Sequence, residues 1–297
     1  MKTLCFFLII FTTSPLYAGE ISETLLRKTS QKIEQKLELA ANDIFDNVEI
    51  SLSGFHEGKP SYSIISLLPL YDAHNRNSFL QAHLSKQSDV EMLNVGYVQR
   101  QALADSKIII GYNVFYDQDL KNSHERWSIG SDLLTSLGDA HFNYYEAITD
   151  FKYVNGHKEH TLNGYDIQIG LPIPYFPKSK VYAETFSWNG INSSRDLKGE
   201  KYIIKSELPY GITLEFGKIS FDQISKDQEF ISLNMNLLEI KKKQQSLKSQ
   251  ISQMYSFEPY EIINFNDVSD RKYEKVRREN KIKKQSNRRG TVKITGY

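Results

Sequence analysis

The stretch GYNVFYDQDL, residues 111–120, alternates apolar and polar positions in its first half and offers two carboxylates, Asp117 and Asp119, in its second. Extended backwards, the alternation puts Ile108, Ile110, Tyr112, Val114 and Tyr116 on one face. Ile109, Gly111, Asn113, Phe115 and Asp117 share the other. A period of two marks a strand with unlike faces. Its fold depends on what the polar face meets. A catalytic acid pair would need a nucleophile or histidine in a shared site, and none stands beside these aspartates in the sequence. A calcium loop needs more oxygen ligands, more closely spaced, than DQDLKNSHE supplies. The third reading sets the aspartates at a strand end, where they tie a loop or meet cations from elsewhere in the chain.

The same pattern recurs from Asn47 to Leu238. Twelve segments read as strands: 47–54, 61–71, 77–86, 90–101, 107–117, 124–134, 139–153, 162–171, 179–188, 199–208, 211–221 and 228–238. Turn clusters such as HEGKP, LPIPYFP and NGINSS separate them. No helical pattern intervenes, which argues against a parallel α/β fold. The count is even, and segments of this length cross a bilayer at a tilt. A soluble sandwich shares the period and stays open on pattern alone, but its exposed face carries many Lys and Glu. Here the polar faces favour Asn, Ser, Gly, Gln and Asp, the residues of a narrow wet lumen. The 18 tyrosines, beside 2 tryptophans, suit interfacial girdles that keep the phenol hydroxyl in water. The expected fold is all-β, a twelve-stranded antiparallel transmembrane β-barrel. Asn113, Asp117, Asp119, Asp166 and Glu184 are its expected lumen and rim polar residues. Ile231, Leu233, Met235 and Leu237 share one face of the last strand and are the expected barrel-assembly signal.

The N-terminus indicates export. MKTLCFFLIIFTTSPLYAG has a basic start, an apolar run from Leu4 to Phe11 and a small-residue cleavage site at Leu16-Tyr17-Ala18, so residues 1–18 read as a signal peptide. The sole cysteine, Cys5, lies inside it, so the exported chain would hold no disulfide. Residues 19–46 read as a short periplasmic helix, with Ile21, Leu25, Ile33, Leu37, Leu39 and Ile44 at helical spacing. Residues 239–297 read as a basic linker or tail, partly helix-compatible over EIKKKQQSLKSQISQ. They carry 15 Lys and Arg against 7 Asp and Glu, a net of +8; with +1 for the chain, the rest carries −7. Overall neutrality gives no field for nucleic acid, and the tail reads as a solvated linker rather than a nucleic-acid arm. The seven histidines are scattered, and HKEH (157–160) reads as a solvated loop. No cofactor, metal ligand set or catalytic residue stands out.

LLPLYDAHNRNSFLQ (67–81), GYNVFYDQD (111–119), RWSIGSDLL (126–134) and NGYDIQIGLPIPYFP (163–177) occur in order. Together they resemble the β-domain of the inverse autotransporters, the intimin and invasin family. The resemblance covers residues 47–238, and DRKYEKVRRENKIKKQ (270–285) is similar to the family's linker between barrel and passenger. It implies a non-enzymatic outer-membrane translocator of a Gram-negative bacterium that places a C-terminal segment at the cell surface, with an adhesive role. It also implies outer-membrane lipids, the barrel-assembly machinery and periplasmic chaperones as partners, and a host or surface receptor met through a passenger. The family's run of immunoglobulin-like domains and its N-terminal peptidoglycan-binding module are not in this sequence, which makes a passive, porin-like channel the alternative. Twelve strands return the chain to its starting side, so a surface-bound tail must thread the lumen. That crossing takes only about ten extended residues, and its basic residues would pass Asp117, Asp166 and Glu184, each pair contributing modestly in a wet lumen.

Overall fold

The computed structural model describes residues 48–53, 61–87, 90–191, 195–222, 227–236, 254, 265–288 and 291–295. The expected signal peptide, the helix over 19–46, Leu237 and the helix-compatible start of the tail lie outside them. Among the described residues sixteen strands form: β1 (Val48–Ser53), β2 (Ser61–Asp72), β3 (Arg76–Gln87), β4 (Val90–Leu103), β5 (Ile108–Asp119), β6 (Glu125–Thr135), β7 (Asp139–Ala147), β8 (Phe151–Val154), β9 (His157–Thr161), β10 (Gly164–Ile173), β11 (Phe176–Trp188), β12 (Leu197–Leu208), β13 (Ile212–Phe221), β14 (Gln228–Asn236), β15 (Lys284–Arg288) and β16 (Thr291–Thr295).

Twelve of them close an antiparallel barrel in the order β1-β14-β13-β12-β11-β10-β7-β6-β5-β4-β3-β2. Closure pairs Ile50 with Met235 and Ile64, and leaves no free edge. The alternation of the sequence becomes the two surfaces of the wall. On β5, Tyr112, Val114 and Tyr116 are exposed on the outside, whereas Asn113, Phe115 and Asp117 are buried inside. Ile129, Ile167, Ile169, Leu171, Ile204, Phe216 and Ile231 continue the exposed apolar exterior. Among the described residues no helix is long and apolar enough to cross a membrane; an apolar-out, polar-in strand pattern crosses instead.

Large aromatics fit the lumen because glycines on neighbouring strands make room for them. A Cβ on Gly96 would stand 2.3 Å from the Phe115 ring, and one on Gly170 equally close to Tyr182. Short turns (73–75, 104–107, 136–138, 174–175 and 209–211) join strands at one mouth. Longer connections, including 120–124 and 148–163, lie at the other.

Two expectations are corrected here. The segment 139–153 is not one strand: β7 stops at Ala147, and β8 turns back through Asn155-Gly156 into β9. Positive φ at both residues (50° and 76°) makes this the tight turn that an Asn-Gly pair favours. The tail is not all linker either. Its β15 and β16 join β8 and β9 in a second sheet, ordered β16-β15-β9-β8, at the long-loop mouth. His160 is consequently buried in that sheet and not solvated.

Candidate functional site

The site is the barrel's interior. Asp117 faces into it near the long-loop end of β5, with its side chain fully buried. Arg126 on β6 donates Nε to Oδ2 at 2.8 Å, and Asn94 on β4 donates to Oδ1 at 2.8 Å. Arg278, from the tail, grips both oxygens at 2.8 and 2.6 Å. The DQD stretch is therefore an anchor: each Asp117 oxygen already accepts from a guanidinium. The expectation of a modest, water-screened pair does not apply to it, because Asp117, Arg126 and Arg278 are all cut off from solvent.

Asp119, two residues on and on the same inward face, also accepts from the tail, from Lys284 Nζ at 2.8 Å. Its Oδ1 takes the N–H groups of Lys121 and Asn122, both at 3.0 Å, so one carboxylate orders the 120–124 loop and holds the tail. Asp166 accepts from Asn143 and from the Tyr145 hydroxyl, at 2.7 and 2.6 Å. Glu184 accepts from Gln168 at 2.6 Å and lies 3.8 Å from Lys201. Asn113 lies over Gly130 on the facing strand, in the space a Cβ would need. Of the assembly-signal residues, Ile231 and Leu233 are exposed on the outer face, and Leu233 pairs with Leu52 and Leu214. Met235 is half-buried beside Ile50 and Ile212.

The described tail runs through this interior from one mouth to the other. At the short-turn mouth, Asn266 N–H donates to Ser136 and Val268 N–H to the Ser106 carbonyl. Arg271 then reaches Asp139 at 2.7 Å, Lys272 reaches Asp72 at 2.7 Å, and Lys275 bonds Glu49. In mid-barrel Val276 packs against Phe79, Val98 and Phe115, and Arg277 meets Glu215 at 3.2 Å. At the far mouth Lys281 bonds Gln87, Lys284 bonds Asp119, and β15 pairs with β9, so that Lys284 faces Thr161. Glu159 of β9 lies 3.5 Å from His124 and 3.7 Å from Lys284, and these neighbours hold its carboxyl below the ordinary range despite partial burial.

Rings line the path of the cations. Arg278 lies over Phe115 at 4.3 Å, Arg277 over Tyr182 at 3.9 Å and Arg126 over Tyr145 at 4.3 Å. Such stacking adds attraction where water is excluded. Sequence reasoning passed over two inward-facing wall residues, Arg100 and Arg126. Arg100 is wholly buried, bonds Asp132 at 3.0 Å and also donates to tail carbonyls. The signal was available: each arginine falls on the inward phase of its strand, where a long cation needs a partner.

The comparisons with known proteins agree with this geometry. A family model described as the inverse autotransporter β-domain matches residues 14–214. The chain belongs to this family. It is 26% identical, over half of its length and 52% of the relative's, to a putative attaching and effacing protein homolog of Escherichia coli K12. It is 30% identical to an intimin of Citrobacter freundii over 39% of this chain and 12% of the relative. The chain thus spans about half the length, or less, of these curated relatives. A solved structure from work on in-meso crystallization of membrane proteins covers 81% of this chain and 99% of its own, with a TM-score of 0.65 at 20% identity, which shows the shared barrel fold. The inverse autotransporter β-domain described here is an outer-membrane barrel of a bacterium. In outer-membrane barrels as a class, short turns face the periplasm and longer loops the exterior.

Proposed function

We propose that this β-domain is a translocator that carries a C-terminal segment through its own lumen and anchors it at the cell surface, without enzymatic activity. The observation that carries the reading is the course of residues 266–288. They enter beside the short turns, pair with wall carboxylates at every level, and leave by joining the outer hairpin. A channel built to conduct would not thread its bore with a segment held by five buried or half-buried ion pairs: Arg271–Asp139, Lys275–Glu49, Arg277–Glu215, Arg278–Asp117 and Lys284–Asp119. The names of the relatives, an intimin and an attaching and effacing homolog, support an adhesive role for whatever such a barrel presents.

The test is a fusion. A cysteine-free domain joined after Tyr297 should become accessible to antibody on intact cells. Accumulation of the fusion in the periplasm, beside a correctly assembled barrel, contradicts the proposal. The porin-like alternative predicts high conductance from the full chain in planar bilayers, and the filled lumen predicts low conductance.

A further inference from the structure

We propose that the wall built by β3, β4, β6 and β7 is a binding track for an irregular or extended polypeptide, read through its main chain and indifferent to its side chains. This deepens the translocator reading and rests on it.

The contacts are with backbone groups. Arg100 Nη1 donates to the carbonyls of Arg271, Lys272 and Glu274 at 3.2, 3.2 and 2.7 Å. Asn77 donates to the Lys272 carbonyl at 2.8 Å, and Gln81 accepts the Val276 N–H at 2.9 Å. Asn143 donates to the Arg277 carbonyl at 3.0 Å, and Asn94 to that of Asn280 at 2.9 Å. The Tyr145 hydroxyl accepts the Glu279 N–H at 2.7 Å. Arg126 donates to the carbonyls of Glu279 and Lys281 at 2.8 and 3.3 Å. Eight of the eleven residues from Arg271 to Lys281 therefore give a main-chain group to the wall.

Every residue supplies a carbonyl, and every residue but proline an N–H, so this kind of contact cannot select a sequence. Four of the readers have a wall partner that does not belong to the tail: Asp132 holds Arg100, Asp117 holds Arg126, His83 holds Asn94 and Asp166 holds Tyr145. One Arg100 nitrogen reaches three carbonyls and Arg126 two, so each fork can keep a partner while the chain slips by a residue. The ion pairs set the resting register of this particular tail, and the main-chain bonds remain available to any segment that passes.

Proline in the tail tests this with no change to the barrel. Val276→Pro with Glu279→Pro removes the two N–H donors to Gln81 and Tyr145. Val276→Ala with Glu279→Ala keeps the donors and removes the same side chains. The full chain, purified and placed in planar bilayers, should show pore opening about tenfold more often for the proline pair than for the alanine pair, as two buried acceptors lose their partners. Equal opening of the two, including no opening of either, overturns the main-chain track. Should the proline pair fail to assemble, Val276→Pro against Val276→Ala repeats the comparison with one bond. A tag after Tyr297 on the unsubstituted chain reports the translocator reading separately. A periplasmic tag with a proline–alanine difference overturns that reading and keeps the track; a surface tag with no difference does the reverse.

Discussion

Replacing Arg278 with alanine removes the tail's deepest anchor. The guanidinium makes two charge-assisted bonds to Asp117 and a third to Ser128 at 2.9 Å, and lies over the Phe115 ring. Breaking a fully buried ion pair costs about 3–5 kcal/mol, because the remaining charge is stranded. Asp117 keeps Arg126 and Asn94, so the cost should fall at the lower end. At about 3 kcal/mol, the balance between docked and undocked tail shifts roughly 150-fold toward undocked. Arg278→Lys should fall between, since an ammonium preserves the charge and loses the two-pronged grip. The assay is the frequency and size of openings of the purified full chain in planar bilayers. The double variant Asp117→Asn with Arg278→Ala should not recover the loss, because it takes the carboxylate from the buried Arg126 as well. Openings by Arg278→Ala that match the unsubstituted chain would refute the claim that this pair holds the tail in the lumen.

Three further outcomes follow from the same geometry. Leu233→Lys with Ile231→Lys should abolish outer-membrane assembly, checked by heat-modifiable gel migration, since each lysine on the lipid face costs up to about 2–4 kcal/mol near the midplane; normal assembly would remove β14 from its assigned role. Gly96→Ala should destabilise the folded barrel by about 1–3 kcal/mol in urea unfolding, because its Cβ would collide with the buried Phe115 ring. The outer sheet should loosen in acid. Glu159 titrates below its ordinary value when folded, so its contribution is present above the unfolded pKa and is lost as pH falls through the folded one. External protease should therefore cut near residue 286 faster at the acid end of that window than at neutral pH, and Glu159→Gln should flatten this dependence.

Much of the barrel was legible because it follows from a period of two. Lipid demands an apolar outer face and paired backbone, so each membrane strand carries its own signature. What lay outside the bilayer left weaker marks. Phe151 and Tyr153 extend the alternation of β7, and no turn residue other than the Asn155-Gly156 pair reveals that the strand ends at Ala147 and a new hairpin begins. The strand β15 hides in KQSNR, whose composition reads as linker, because its partner β9 holds it through backbone bonds rather than side-chain pattern. Within the lumen the carboxylates could be listed from the inward phase, but Asp117 and Asp119 take partners from a tail more than a hundred residues away, whereas Asp166 and Glu184 are held by the wall. The charge asymmetry showed that pairing was available without assigning Asp117 to Arg278 or Asp119 to Lys284. Arg100 and Arg126 were overlooked because they stand at strand ends, where arginine is ordinary on a solvated surface.

The measurement closest to the central claim is the sidedness of the chain's end. An epitope placed after Tyr297 should be detected on intact cells, and protease added outside should remove it while leaving the barrel uncut. Single cysteines fix the orientation in the same cells: one at Asn122 should react with an impermeant maleimide, and one at Ser136 should not. An epitope that appears only after the outer membrane is permeabilised, with Asn122 still labelled from outside, would contradict passage of the tail through the barrel.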